Sequence, residues 1–310
     1  MNSTVQWILQ SPIIMMVLLS PLLYFLEWKF PFSNYKNPAQ LKQSLQDIFW
    51  YVFEVLISPR LFLVFNFINF FIIAQFWSNL FPFLSDLFWK NIFPLLARFG
   101  FSIAQIQTFG LQRIEFKSEL ISFIVIFLLW DLLRYAVHRW LHSTALWPIH
   151  MLHHSSESIN WLSSARAYWL DSATYSFLTL WLFMFIKVSN ETIFILGLIE
   201  LFFDLFVHAN IKLPISPLTK VINTPTIHHW HHSKENIFPH GQNFGNALAI
   251  WDYWFGTFYL DPNNQPPKKY GLSEVDEYPD SILKRLVFPF SKLYHFLKKR
   301  FGSRDPETQR

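Results

Sequence analysis

The sequence predicts an all-α, polytopic integral membrane protein of about four to five transmembrane helices, capped by a cytosolic, histidine-rich helical region. Three observations predict this. Hydrophobic residues are 52% of the 310 and charged residues only 15%, against about 25% charged in an ordinary soluble domain. Long apolar runs recur through the first two thirds of the chain. Eight of the 12 histidines fall into three short clusters with helical spacing.

The first apolar run is Val5 to Leu26, ended by Glu27, Trp28 and Lys29. About 20 residues cross the hydrocarbon, so it suffices as a span. No Lys or Arg precedes it and no small-residue cleavage site follows, so it reads as an anchor rather than a cleavable signal. A polar stretch, Pro31 to Asp47, leads to a second run from Leu61 to Phe81. From Pro82 to Phe101 the pattern is broken by Asp86, Lys90, Pro94 and Arg98, which predicts an interfacial amphipathic helix. The third span runs from Leu120 to about Val137. Two shorter runs, Ser172 to Ile186 and Thr192 to Val207, flank a five-residue polar break and predict a helical hairpin. The second of them carries Glu200 and Asp204.

After His208 the chain turns soluble in character, with Pro214, Pro217 and Pro225 and a turn at Asn263 to Pro267. It closes on Lys298, Lys299 and Arg300 and a polar, fraying tail. The expected organisation is therefore an N-terminal membrane region with its interfacial helix (1–119), a catalytic region (120–262) and a basic C-terminal tail (263–310). If the spans alternate, Lys29, Lys36, Lys42, Arg134, Arg139, Lys212 and Lys220 share one side, which the positive-inside rule makes the cytosol. The region holding Lys90, Arg98, Arg113 and Lys117 pulls the other way.

Lys+Arg 25 against Asp+Glu 21 leaves a net charge of +4, dispersed along the chain until its end, which is no nucleic-acid footprint. With Cys 0, disulfide scaffolds, Cys-ligated zinc and iron–sulfur clusters are excluded.

The histidine clusters are His138/His142, His150/His153/His154 and His228/His231/His232. Residues at i, i+3 and i+4 share a helix face, so each cluster points one way. Eight imidazoles are too many for one tetrahedral ion and suggest two metals. Burying so many polar rings without a metal or partner would cost a few kcal/mol for each unsatisfied group. A lone histidine such as His295 in the basic tail reads instead as a bystander. Neither His-Glu-x-x-His nor Glu-x-x-His occurs, which removes the common zinc-protease helix and the carboxylate-bridged di-iron bundle. Imidazole alone suits Zn, Cu, Fe or Ni.

The surrounding residues extend the pattern. Asp131 and Tyr135 precede the first cluster, Ser155, Ser156 and Asn160 follow the second, and Thr224-Pro225 precede the third. Asn243-Phe-Gly-Asn246 and Trp251-Asp-Tyr-Trp-Phe-Gly-Thr257 follow it. Over Leu120 to Leu260 these motifs resemble those of the fatty acid hydroxylase/sterol desaturase superfamily. That resemblance implies a di-iron, oxygen-dependent membrane enzyme that hydroxylates or desaturates lipid C–H bonds, with the eight clustered histidines as iron ligands. His208, in His208-Ala-Asn210, resembles a further family histidine and makes a ninth ligand. His229 stands where relatives often carry Arg, and is expected not to ligate. Tyr168-Trp169 replaces a His-Pro pair that the family often places soon after the counterpart of Arg166, so the substrate of the best-known members does not transfer.

Cleaving an unactivated C–H bond needs a redox metal, and metal-bound histidines need outer acceptors to fix their tautomers. Asp131 lies seven residues before His138 and Asp204 four before His208, on matching helix stripes, and both read as such partners. Asn160, Asn243 and Asp252 follow the family pattern and could orient ligands or pin loops. The expected cofactors are two Fe ions with O2 as cosubstrate. The expected partners are a membrane lipid and, since no His-Pro-Gly-Gly haem signature appears, a separate cytochrome-type or ferredoxin-type electron donor. A bacterial inner membrane or the endoplasmic reticulum suits this topology, with the active site facing the cytosol. Three alternatives stay open: a desaturase on the same site, a bis-histidine haem protein that carries electrons, and a zinc-binding transporter, which would want ionisable residues within several spans.

Overall fold

The computed structural model describes residues 12–33, 38–57, 101–106, 111–235, 241–273 and 277–301, with isolated positions between 58 and 100. The expected second span, and the interfacial helix between Pro82 and Phe101, lie outside the described residues save for single positions. Helix α1 (Pro12–Lys29) is apolar along its length and ends on Lys29, suited to a helix C-terminus. Helix α2 (Pro38–Leu56) covers much of the stretch read as a polar connector. Its Asp47 and Trp50 are buried, while Leu45, Ile48 and Val52 face outward.

The expectation of an all-helical chain is corrected by an antiparallel pair, β1 (Phe101–Ile106) and β2 (Leu111–Phe116), with Phe101 opposite Phe116 and Ile106 opposite Leu111. Polar and apolar residues alternate over only part of each segment, Phe101-Ser-Ile103 and Arg113-Ile-Glu-Phe116, a local period of two that a strand satisfies and a helix does not.

Helix α3 (Glu119–Leu141) starts at Ser118, whose side chain accepts from Ile121 N, and Glu119 suits the positive helix end. Among the described residues it is the one helix long and apolar enough to cross a membrane by length and composition. Leu120, Ile121, Ile124 and Leu128 are exposed, whereas Asp131, Arg134, Tyr135 and His138 are buried. A single stripe thus collects the polar residues that a lipid-facing side could not hold.

Short helix α4 (Trp147–His154) opens with Pro148, whose missing N–H costs nothing there. Helices α5 (Trp169–Phe185) and α6 (Asn190–His208), of 17 and 19 residues, occupy the two expected apolar runs, with Ser189 capping α6 through Thr192 N. Then come α7 (Pro225–His231) and α8 (Ile250–Phe255), the latter closed by Gly256 at φ +71°, a left-handed position that favours glycine.

The C-terminal segment is not wholly a tail, because residues Ile282–Phe301 form helix α9. Ile282 and Leu286 on α9 pack against a core of Trp50, Leu141, Ile149, Leu152 and Tyr168. The Tyr168 hydroxyl also donates to the Leu286 carbonyl. That core ties α2, α3, α4 and α9 together behind the histidines.

Candidate metal centre

Nine histidines gather from α3, α4, α6 and α7 and divide into two groups. One holds His138, His142, His150, His154 and His231, and the other His153, His208, His228 and His232. Within each group the potential ligand atoms all lie within 4.8 Å of one another. The groups adjoin, with the His154 and His232 ring centroids 4.5 Å apart.

The sequence clusters therefore do not correspond to one metal each, and helix geometry explains the split. At about 100° per residue, positions i and i+4 differ by about 40°, whereas i+3 and i+4 differ by about 100°. The pairs His138/His142, His150/His154 and His228/His232 each stay together, while His153 and His231 turn to the other group.

The ring nitrogens show what the groups can hold. His138 Nδ1 donates to Phe244 O at 2.9 Å, His231 Nδ1 to Gln242 O at 2.7 Å, and His208 Nδ1 to Asp204 O at 2.6 Å. His153 Nδ1 faces Arg166 O at 3.3 Å, and His150 Nδ1 lies 2.7 Å from Asp171 Oδ2. A carbonyl only accepts, so these rings carry their proton on Nδ1 and present an Nε2 lone pair. In the second group the Nε2 atoms of His208, His228 and His232 lie 3.1–3.2 Å apart, with His153 Nε2 3.2 Å from that of His208. Nitrogens bound at about 2.1 Å around one ion lie roughly 3.0–3.4 Å from each other. In the first group His138 and His150 meet through Nε2 at 3.1 Å. The buried Nε2 atoms of His142, His154 and His231 have no hydrogen-bond partner among the described residues. Burial, then neighbouring imidazoles, holds His153, His154, His228 and His232 well below the usual histidine range, and burial takes His231 to about 3. Converging neutral lone pairs that lack donors fit metal cations and little else.

The expected outer partners act one step further away than the sequence suggested. Asp131 touches no histidine. It accepts from Ala247 N, Leu248 N and Trp251 Nε1 at 2.8–3.2 Å, because seven residues carry it about 10 Å along the helix from His138. Asp252 accepts from Phe244 N, Gly245 N and Thr257 Oγ1, each at 2.7 Å, and burial raises its pKa to about 6. Asn243, at φ 56°, bonds Ile227 O and both backbone groups of Tyr259. These three residues fix the loop whose Phe244 carbonyl orients His138. Asp204 meets His208 through its backbone, while its side chain turns to Arg134. Asn160 caps the 3-10 turn Trp161–Ala165 through Leu162 N and also touches no histidine.

His229 lies outside both groups. Its Nε2 donates toward His208 O and Ala209 O, and its Nδ1 accepts from Tyr270 Oη at 3.0 Å. Burial lowers its pKa to about 4, so a neutral ring holds the end of α6 in place.

Two acidic residues escaped the sequence reading. Asp171, in the first turn of α5, is the carboxylate on His150. Asp47 of α2 accepts from Arg166 Nε at 2.6 Å, with both side chains buried, and so fixes the segment whose carbonyl meets His153. A buried carboxylate beside apolar residues was the available signal for each, but their partners are 21 and 119 residues away.

Two cavities flank the centre. One of about 180 Å³ lies against His138, His150, His153, His208 and His228 between α3, α5 and α6. The other, of about 470 Å³, reaches His142, His154 and His231 beside α9.

Residues 123–257 match the fatty acid hydroxylase family. The chain is 29% identical over 161 residues to an ornithine lipid hydroxylase of Rhizobium tropici, covering 51% of this chain and 47% of that protein. It is 31% identical over 144 residues to an alkylglycerol monooxygenase of Caenorhabditis elegans, covering 46% and 28%. With the human alkylglycerol monooxygenase it shares 33% over 130 residues, covering 40% and 27%. The chain thus spans half the length or less of these curated relatives. No solved structure matches it.

Proposed function

We propose, from the match of residues 123–257 to the fatty acid hydroxylase family, that this chain is a membrane di-iron oxygenase that hydroxylates a lipid C–H bond. The observation that carries this reading is the pair of adjoining histidine groups, one of five rings and one of four. In the overall reaction one atom of O2 enters the C–H bond and the other leaves as water. Two electrons come from a separate cytochrome-type or ferredoxin-type donor and two protons from solvent.

His138, His142, His150, His154 and His231 would hold one iron, and His153, His208, His228 and His232 the other. Bound there, the irons would supply the dioxygen activation and hydrogen abstraction that no side chain provides. The chain's own residues perform the rest. The carbonyls of Phe244, Arg166, Asp204 and Gln242 keep the Nδ1 protons in place, so the Nε2 lone pairs stay aimed inward. Asp171 adds negative charge behind His150 and raises its basicity as a ligand. The all-imidazole donor set brings no anionic ligand and no thiolate that an oxidant could attack. Burial of the histidines excludes bulk water, which limits discharge of the oxidant into solvent.

The packing speaks against a haem carrier. Nε2 atoms only 3.1–3.2 Å apart leave no slot for a planar macrocycle between them. A lipid substrate is in keeping with relatives named as lipid hydroxylase and alkylglycerol monooxygenase. Orientation toward the cytosol, in a bacterial inner membrane or the endoplasmic reticulum, belongs to the same proposal.

Comparative lipid mass spectrometry of membranes expressing the protein or its His153→Ala variant tests this reading. A lipid that gains one oxygen only with the unaltered chain is the expected result. A lipid that instead loses two hydrogens makes the enzyme a desaturase. A purified protein with haem absorbance and no iron outside haem overturns the proposal.

A further inference from the structure

Helix α9 carries six Lys and Arg and no Asp or Glu, and folding sorts them onto one side. Leu283, Val287, Phe290, Tyr294 and Leu297 follow one another at steps of four and three residues. At about 100° per residue they fall within about 80° of one another. All five are exposed, Leu283 by 74% and Tyr294 by 61%. Ile282 and Leu286, which pack on the core, lie along one edge of this stripe. Lys298, Lys284 and Lys299 follow in order from the other edge, and all three are exposed. Arg285 and Lys292 are engaged locally, Arg285 Nε with Pro279 O at 2.8 Å and Lys292 Nζ with Glu277 at 3.5 Å. An outward apolar row bordered by basic residues is the pattern of a helix that lies in the headgroup region of a bilayer.

The surroundings of α9 agree with that position. The core beneath it includes Leu141, the last residue of α3, and α3 is the helix suited to crossing the bilayer. Phe290 reaches Trp169, the first residue of α5, with ring centroids 6.3 Å apart. Helix α9 therefore lies beside one end of the span, where Trp140 is exposed, and Trp side chains collect at membrane interfaces. Helix α2 is tied to α9 by Arg285 Nη1 on Gln46 Oε1 at 3.4 Å and turns its own apolar row outward, Leu45, Ile48 and Val52. Charge decides what covers the stripe. Lysines with no carboxylate on their own helix suit an anionic lipid surface, whereas a second copy would set the same basic edge against itself.

We propose that α9 is an interfacial helix that seats the metal-bearing region on an anionic lipid surface, with its apolar stripe among the upper acyl carbons and Lys284, Lys298 and Lys299 on lipid phosphates. This rests on α3 as a membrane span and not on the oxygenase reading. Because Ile282 and Leu286 share a core with Ile149 and Leu152 of α4, the seating also sets the height of the helix that carries His150, His153 and His154.

The chain has no cysteine, so Tyr294→Cys offers one site for an environment-sensitive fluorophore. The whole chain so labelled is placed in nanodiscs of phosphatidylcholine alone or mixed with phosphatidylglycerol. Quenching by nitroxides on the acyl chains is then set against quenching by acrylamide from water. Nitroxide quenching should dominate in the mixed discs and weaken in the neutral ones. Replacing Lys284, Lys298 and Lys299 together by Gln should lower the ratio of seated to free helix in mixed discs by about 100-fold, at about 5-fold for each lysine. Iron content and helicity should not change, because all three side chains are exposed. A label open to acrylamide in both kinds of disc overturns the proposal. So does a label shielded from both quenchers, which marks a protein partner or a second copy. Equal nitroxide quenching in neutral and mixed discs, kept by the triple variant, also overturns it, because the helix then reads no charge.

Discussion

Asp171 offers the sharpest test of how the metal centre is tuned. Its Oδ2 lies 2.7 Å from His150 Nδ1, with the histidine and carboxylate side chains 4% and 5% exposed. A hydrogen bond to a charged group is worth about 1.5–3 kcal/mol, which is about 10- to 150-fold in an equilibrium constant at about 1.4 kcal/mol per tenfold. Outer-sphere replacements typically lower metal affinity by about 10- to 100-fold, in agreement. Asp171→Asn keeps an oxygen that can accept from Nδ1 and removes only the charge, so iron affinity should fall by about 10-fold. Asp171→Ala frees the ring to change tautomer and should cost about 100-fold. Asp171→Ala should not unfold the protein, because Oδ1 of the same carboxylate is buried without a partner among the described residues and its loss relieves that penalty; Asp171→Asn places an amide NH2 there and should cost about 1–3 kcal/mol of stability at most. The assay is competition for iron between purified protein in detergent and a coloured chelator, with helicity followed by circular dichroism. Iron held as tightly by both variants as by the parent, at unchanged helicity, would refute the tuning role. Equal losses in the two variants would refute the part assigned to charge.

Two further outcomes follow from the surrounding structure. A Cβ at Gly245 would lie 2.3 Å from Leu248 O and 2.9 Å from Asp252 Oδ2, so Gly245→Ala should cost about 1–3 kcal/mol and shift the Phe244 carbonyl from His138, read as a lower melting temperature and reduced iron content. Metal-free protein should lose stability on acidification, because His229, at about 4 in the fold against 6.5 unperturbed, binds fewer protons folded than unfolded between those values; stability is complete above about pH 6.5 and declines toward pH 4, with about 2 kcal/mol lost by pH 5 from this residue alone, and a melting temperature that does not fall between pH 8 and 5 would contradict it.

The loop that follows the third histidine cluster shows how a polar motif becomes structural. Asp131, Asn243 and Asp252 are all buried, and together they satisfy backbone groups of Phe244, Gly245, Ala247, Leu248 and Tyr259 that have no helix or sheet to join. Buried backbone donors must be paired somewhere, and a carboxylate that accepts two or three of them holds a loop rigidly. The loop's own carbonyls, at Gln242 and Phe244, are then free to fix His231 and His138. These acidic residues therefore reach the metal centre through the backbone rather than by direct contact.

Local patterns determined much of this protein. Apolar runs announced helices α3, α5 and α6, since helix formation over an uninterrupted hydrophobic stretch needs no distant partner. Spacing of three and four residues announced the histidine faces, and His208 was legible from its resemblance to a family position. The strand pair was missed because its alternation is short. Helix α9 was missed because six Lys and Arg interrupt its apolar residues and Pro289 lies within it, although Ile282 and Leu286 bury against α4. Only the tertiary structure decided which histidines fall into the same group. Helix geometry separates His153 and His231 from their i, i+4 pairs, but which group each joins depends on how α3, α4, α6 and α7 cross. The tertiary structure also decided the pairings of Asp171 with His150, Asp47 with Arg166 and Arg134 with Glu200. Each joins residues on different elements, and a buried charge in sequence shows that it needs a partner without showing which one.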